Sequence, residues 1–273
     1  MSYKTILYVM SDDAANQRRL GVAKELAGRC GGSLVVLHVT QPAIIPVGFA
    51  EGTAYIPPEI IDAQQAAAAK VTERMKQIYR DVCEPETVPS RWRHEDGEVG
   101  AMANLAARAA DLTVLGTMPT SGMDALAPTL VEQLALGAGG PVLVLPRDGV
   151  QSPPGRNVVL AWNNSRESAR ALQDGLGFLT AADRVTVAGL GSARDLYVDD
   201  VVARLQRHGV SAEAHVEADA SDAGAALLRI ASDRGADLLV MGAYGRARLR
   251  ELILGGATRD VLRNAPISVM FSS

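Results

Sequence analysis

The residues in this chain best suited to chemistry are four glycines close to its C-terminal end. In the stretch MGAYGRARLRELILGGATRDVL, beginning at Met241, Gly242 and Gly245 form a GxxG, nine residues follow, and then come Gly255 and Gly256. Glycine lets the backbone approach a ligand closely and take conformations barred to other residues. A helix opening at Gly255 or Gly256 presents unpaired N–H groups and the positive end of its dipole, which together make a seat for phosphate. Each N–H to a charged phosphate oxygen contributes roughly 1.5–3 kcal/mol. Three or four of them with a packed base reach micromolar affinity, about 8 kcal/mol, once ordering costs are subtracted. Thr258 and Arg259 fall in the first turn of that helix and Arg246 and Arg248 in the loop, so a hydroxyl and positive charges are at hand. A general base is not: Glu251 is the one carboxylate in GRARLRELILGG, and a lone loop carboxylate is ordinarily solvated surface. Binding is expected here, and fast hydrolysis is not.

Other reactive residue types are sparse. Cys30 and Cys83 are the only thiols, without a CxxC or a Cys/His cluster, so neither a zinc site nor a disulfide framework is expected. The histidines His38, His94, His208 and His215 show no metal-ligand spacing. His38 lies inside LVVLHVT and reads as a satisfied strand histidine rather than a base.

The glycine loop needs a strand before it and a helix after it, and the chain supplies both twice over. Apolar strand-like runs alternate with helical patterns from end to end, which argues for βαβ units and a parallel sheet. The first half reads TILYVM, SLVVLHV, a more polar SRWRH, DLTVLGT and PVLVLP; the second reads NVVLAW, RVTVAGL, AEAHVE, DLLVMGA and ISVMF. The clearest helix follows NVVLAW, where Ala169, Leu172, Leu176 and Leu179 mark one apolar face behind an N-cap serine, Ser165, that lacks the usual capping-box acid.

The order is a duplication. Val158 stands 152 positions after Ile6, Asp237 and Gly242 stand 126 after Asp111 and Gly116, and Pro266 stands 125 after Pro141. The first copy therefore carries an insertion, assigned to a surface loop around QPAIIPVGFAEGTAYIPPEI. RDGVQSPPGR, polar and holding Pro153, Pro154 and Gly155, is the natural linker, which gives domains at 1–147 and 155–273. The 273 residues suit two domains of about 130–150 each.

Composition agrees. Hydrophobic residues make up 48% and aromatics 4%, so the core is aliphatic, as in helices packed on a parallel sheet. A net charge of −4, from 27 basic and 31 acidic residues mixed along the chain, leaves no broad basic surface, so nucleic acid is not an expected partner. No apolar run reaches the roughly 18 residues of a membrane span, and MSYKTILYVMSDD is not a signal or transit peptide. A cytoplasmic protein with no membrane partner is the expectation.

These motifs resemble the universal stress protein family, whose signature is G, two residues, G, nine residues, then G followed by Ser or Thr. The resemblance spans the chain as a tandem pair and includes ADLLVMG, RDVLRNAPISVM and the openings KTILYVMSDD and RNVVLAWNNS. It implies an α/β fold of two tandem, doubly wound, five-strand parallel-sheet domains of strand order 3-2-1-4-5, packed as an internal pseudo-dimer through their last strands; a homodimer is compatible with it. First and fourth strands are then neighbours at a topological switch point, where the loops after them form one crevice. The ligand implied is ATP, ADP or AMP, with any Mg arriving on the nucleotide. Carried over, the family contacts fall on Ala161, Asn163, Leu190, Met241, Gly242, Gly245, Gly255, Gly256 and Ala257, with Arg246 and Thr258 as additional candidates.

Two positions depart from the pattern. Asn163 replaces the family's adenine-side Asp, although its amide can pair with adenine N6 and N7. Gly256 replaces the hydroxyl residue, with Thr258 as a substitute. The first copy departs further: Pro119, Thr129 and Leu130 stand where Gly245, Gly255 and Gly256 stand, and Ser11, beside Asp12, takes the place of Asn163. That half is expected to be a folding partner without phosphate binding. The leading reading is a nucleotide-binding stress-response protein of regulatory rather than fast catalytic role. A scaffold or chaperone-like protein with a vestigial site comes second, and a slow ATPase third.

Overall fold

The computed structural model describes residues 3–41, 58–84, 87–116, 129–148, 150, 152–218, 221–243 and 256–273. The first half contains β1 (Thr5–Val9), α1 (Asn16–Arg29), β2 (Ser33–Thr40), α2 (Pro58–Cys83), β3 (Ser90–Asp96), α3 (Val99–Ala107), β4 (Leu112–Gly116), α4 (Leu130–Gly137) and β5 (Val142–Leu145). The second half begins with β6 (Asn157–Trp162), α5 (Arg166–Asp174), α6 (Leu176–Leu179), β7 (Arg184–Leu190), α7 (Ala193–Leu196), α8 (Val198–Arg207) and β8 (Ala212–Glu217). It continues with α9 (Ala223–Asp233), β9 (Leu238–Gly242), α10 (Gly256–Asn264) and β10 (Ser268–Ser272).

The strands form one ten-stranded sheet, β3-β2-β1-β4-β5-β10-β9-β6-β7-β8. Each half has the order 3-2-1-4-5, and within each half the pairings are parallel. The halves meet antiparallel, with Val144 opposite Val269, Leu143 opposite Met270 and Val142 opposite Phe271. These six side chains are at most 3% exposed. Complete burial of a side chain of this kind contributes roughly 1.5–3 kcal/mol, so neither half carries its last strand comfortably alone.

One face of the sheet packs against α1, α2, α5, α6 and α8, and the other against α3, α4, α9 and α10. Strand alternation sends Ile6, Tyr8, Val158 and Leu160 to the first face and Leu7, Val9, Val159 and Ala161 to the second. The edge strands β3 and β8 are partly exposed along their length, which explains their polar sequences.

The repeat markers Asp111 and Asp237 have a shared structural cause. Asp111 accepts hydrogen bonds from the Lys4 and Thr5 amides at 2.7 and 2.8 Å, and Asp237 accepts from those of Gly155, Arg156 and Asn157 at 3.0–3.1 Å. Each carboxylate fastens the start of its half's first strand to the start of the fourth.

The structure corrects three details of the sequence reading. The extra length of the first copy is not all loop, because α2 has 26 residues where α8 has 10. The helix after β6 is also not continuous: it divides at Gly175, where an added Cβ would meet the Ala171 carbonyl oxygen at 2.8 Å and Val240 at 3.1 Å. Its N-terminus has a capping box after all, with the Ser168 hydroxyl in the place of the missing acid.

Candidate functional site

The parallel register puts the C-terminal ends of β6, β7 and β9 side by side, and strand alternation selects which residues share a face there. Ala161, Met241 and the partly buried Leu190 all lie on the face covered by α9 and α10. Ala161 sits opposite Ala188 on β7, two residues before Leu190, and Met241 is opposite Phe271 on β10. Together they give the crevice an apolar floor.

Asn163 follows β6 and is exposed. Its Oδ1 accepts from the Ser165 amide at 3.2 Å and from the Ser165 hydroxyl at 2.6 Å. This Asx turn occupies the carbonyl that would have accepted from adenine N6. Only the amide NH2 of Asn163 has no partner among the described residues, and a donor alone suits N7 of either purine. The neighbouring Asn164 has a left-handed backbone (φ 55°) and donates to the Asp195 carbonyl at 3.3 Å, which ties this turn to α7. Trp162 does the same from beneath, its Nε1 donating to the Leu196 carbonyl at 2.7 Å.

Helix α10 begins at Gly256 on the same sheet face, with Ala257 partly buried and Thr258 buried in its first turn. Among the described residues, a Cβ at Gly256 would meet only Asp260 Oδ2, at 3.9 Å. That carboxylate is one turn into the helix and opposes an anion at its N-terminus. The helix start is braced by α9, whose Gly224 packs so closely that a Cβ would lie 2.6 Å from Asp260 Cβ and 3.1 Å from the Ala257 carbonyl oxygen. Gly245, Arg246 and Gly255 lie outside the described residues.

Gly242 has a different surrounding. It ends β9 on the opposite face, where an added Cβ would meet Glu167 C at 2.5 Å and Ser168 N at 2.7 Å. Its bareness is therefore already required by the close approach of α5.

The first half is closed at the equivalent places. Thr129 caps α4, its hydroxyl accepting from the Glu132 amide at 3.2 Å while Glu132 accepts from the Thr129 amide at 2.5 Å. A capping box of this kind satisfies the N–H groups that would otherwise face an anion. Asp12 turns away to pair with Arg74 of α2. Ser11 donates to Asp13 Oδ2 at 2.6 Å, and Arg19 completes the cluster.

Arg19 is fully buried and was not singled out from the sequence. Its guanidinium pairs with Asp13, donates to Ser11 Oγ at 2.9 Å and to the Arg147 carbonyl at 2.8 Å, and leaves Nε without a partner among the described residues. It lies against Gly116, the counterpart of Gly242, where a Cβ would come within 2.4 Å of its Nε and Cζ. Burial pushes the Asp13 carboxyl up, but the Ser11 hydroxyl, the Ala15 amide and Arg19 outweigh it and hold it below its ordinary value. The signal in the sequence was a polar pair on an apolar stripe, Asn16 and Arg19 sharing the buried face of α1 with Leu20 and Ala23.

His38 is buried on β2, as its sequence context implied, with Nε2 3.1 Å from the Thr72 hydroxyl; burial and the neighbouring His94 push its pKa down. Cys30 and Cys83 are free thiols. Among the described residues no three His, Cys, Asp or Glu side chains are grouped to hold a metal ion, and no helix is long and apolar enough to cross a membrane.

A duplicated, doubly wound α/β sheet with a glycine-spaced loop at one switch point defines a class of protein, and sequence comparison defines the family. The universal stress protein family profile matches residues 2–146 and 180–272, and the chain belongs to that family. A universal stress protein of Synechocystis, Slr1230, is 35% identical over 91 residues, 33% of this chain; the match spans only 28% of the length of that relative. The fold is shared with a universal stress protein from Archaeoglobus fulgidus at a TM-score of 0.74 and 17% identity, covering 98% of this chain and 96% of the other. A functionally unknown protein from Pseudomonas aeruginosa is similar at a TM-score of 0.59 and 17% identity, covering 99% and 92%.

Proposed function

We propose that this protein is a regulatory stress-response protein that binds an adenine nucleotide in its second half only. The observation that supports this most is the contrast between the two copies. In the second, Ala161, Leu190 and Met241 form an apolar floor on the same face as a helix start at Gly256, where the described residues leave room for a ligand. In the first, the equivalent helix start is closed by Thr129 and Glu132. The family signature on Gly242, Gly245, Gly255 and Gly256 adds the phosphate loop, with Arg246 and Thr258 as further contacts. The preference for adenine comes from the family resemblance, since the free donor of Asn163 serves either purine.

Thermal melting with millimolar AMP, ADP, MgATP and GMP tests the reading. A ligand at about 100 times its Kd stabilises by about 2.7 kcal/mol, which raises the Tm by several degrees in a chain of this size. Gly245→Val should abolish the shift and leave the unliganded Tm unchanged. Gly256→Ser, which restores the family hydroxyl where the described residues leave room for it, should enlarge the shift with phosphate-rich ligands. The absence of a shift with every adenine nucleotide would refute the proposal.

A second reading, a scaffold with a vestigial site, is favoured by two specific observations: Asn163 is tied back to Ser165, and Asp260 stands beside the helix start. Asp260→Asn separates the two. A nucleotide-binding protein gains affinity when the opposing charge goes, whereas a scaffold stays silent.

A further inference from the structure

We propose that a cavity between the two halves, separate from the nucleotide crevice, binds a small amphipathic organic anion. The cavity is about 430 Å³, within the roughly 300–1,000 Å³ of small-molecule sites. It lies at the starts of β1 and β6, the opposite ends of those strands from the crevice above, and both halves build it. Tyr3 and Leu26 come from the first half and Phe178 and Ala181 from the second. The Tyr3 and Phe178 rings stand 5.4 Å apart, centroid to centroid, across the boundary.

The wall is apolar and firm. Tyr3 donates to the Asp174 carbonyl at 2.5 Å, and burial pushes its phenol up, so it remains a neutral ring surface. Burial likewise pushes the Cys30 thiol up, which makes it part of the lining and not a nucleophile. The polar end is cationic and also shared. Arg29 comes from the first half and Arg156 from the second. Their carboxylate partners engage one nitrogen each, Nη2 of Arg29 with Glu25 at 2.7 Å and Nε of Arg156 with Asp183 at 3.1 Å. The other N–H groups of each fork can turn to a ligand. Lys4 adds a third positive charge nearby, its Nζ donating to the Cys30 and Gly31 carbonyls at 3.0 Å. An apolar body against the two aromatic rings with an anionic head at two guanidinium groups satisfies both parts, and such a ligand would bridge the halves.

The test uses the full chain and the fluorescent probe 8-anilinonaphthalene-1-sulfonate. One saturable site per chain is expected, with the probe displaced by decanoate at least tenfold more readily than by decanol. AMP should not displace it, so this result stands or falls apart from nucleotide binding. Ala181→Trp, which fills the cavity from an exposed position, should weaken the probe at least tenfold. The exposed pair Arg29→Gln with Arg156→Gln should do the same and erase the preference for decanoate, and it decides the matter if the tryptophan variant does not fold. Probe binding that is unsaturable, displaced by AMP, indifferent to the head group or unchanged in the arginine variant would overturn the proposal.

Discussion

Arg19 illustrates what a buried charge demands of its surroundings. A guanidinium with no exposure is tolerated only with its charge paired and most of its donors used, and Asp13, Ser11 and the Arg147 carbonyl provide this. Arg19→Ala removes the cation and leaves that carbonyl without its donor, so a loss of about 3 kcal/mol is expected, at the low end for a broken buried pair because Asp13 keeps contact with water. Urea unfolding at pH 7 measures it. The pH dependence has a definite sign. A carboxyl held below its ordinary value contributes stability that is present above the ordinary Asp pKa of about 3.9 and is lost as the pH falls below it. Wild type should therefore weaken on acidification through that window, and Arg19→Ala should weaken less steeply, because one source of the depression has gone.

Among the elements, α5 is placed by what β9 lacks. Gly242 admits the Glu167–Ser168 backbone, and main chain cannot swing aside as a flexible side chain can. Gly242→Ala should cost about 2 kcal/mol, as overpacking does, visible as a lower urea midpoint with an unchanged m-value. A nucleotide role for Gly242 alone would instead leave the midpoint where it was. The elements were unequally legible in the sequence. Buried strands such as DLTVLGT and DLLVMGA announced themselves by continuous apolar runs, while β3 was weaker because an edge strand keeps one side in water. Helix α2 was hidden for a related reason. It buries only Met75 and Cys83, so most of its length carries no strict apolar period, and a Pro-rich stretch precedes it.

For the molecule as a whole, the antiparallel pairing of β5 with β10 makes one sheet out of two copies. The hydrophobic cores on both faces run across that seam. A fragment of residues 155–273 would expose the β10 edge and the apolar row Val269, Met270 and Phe271, and an unpaired apolar edge seeks another strand. Sedimentation should show that fragment as a self-associated species at micromolar concentration, and adding residues 1–147 should replace it with a 1:1 complex. A stable monomeric fragment would mean that the seam contributes little to folding.

The sequence by itself determined the duplication, the alternation of strands and helices, and the asymmetry between a glycine-spaced loop in one copy and Pro119, Thr129 and Leu130 in the other. These are local properties, written in periodicity, composition and residue type, and they survive whatever the chain packs against. Tertiary structure alone decided that Gly242 serves α5, that the carbonyl of Asn163 is held by Ser165, that Arg19 is buried against Gly116, and that Tyr3 and Phe178 meet in a cavity between the halves. Apart from the Asn163 turn, each depends on distances between residues far apart in the chain. Such distances are set by strand register and helix approach rather than by any spacing along the sequence.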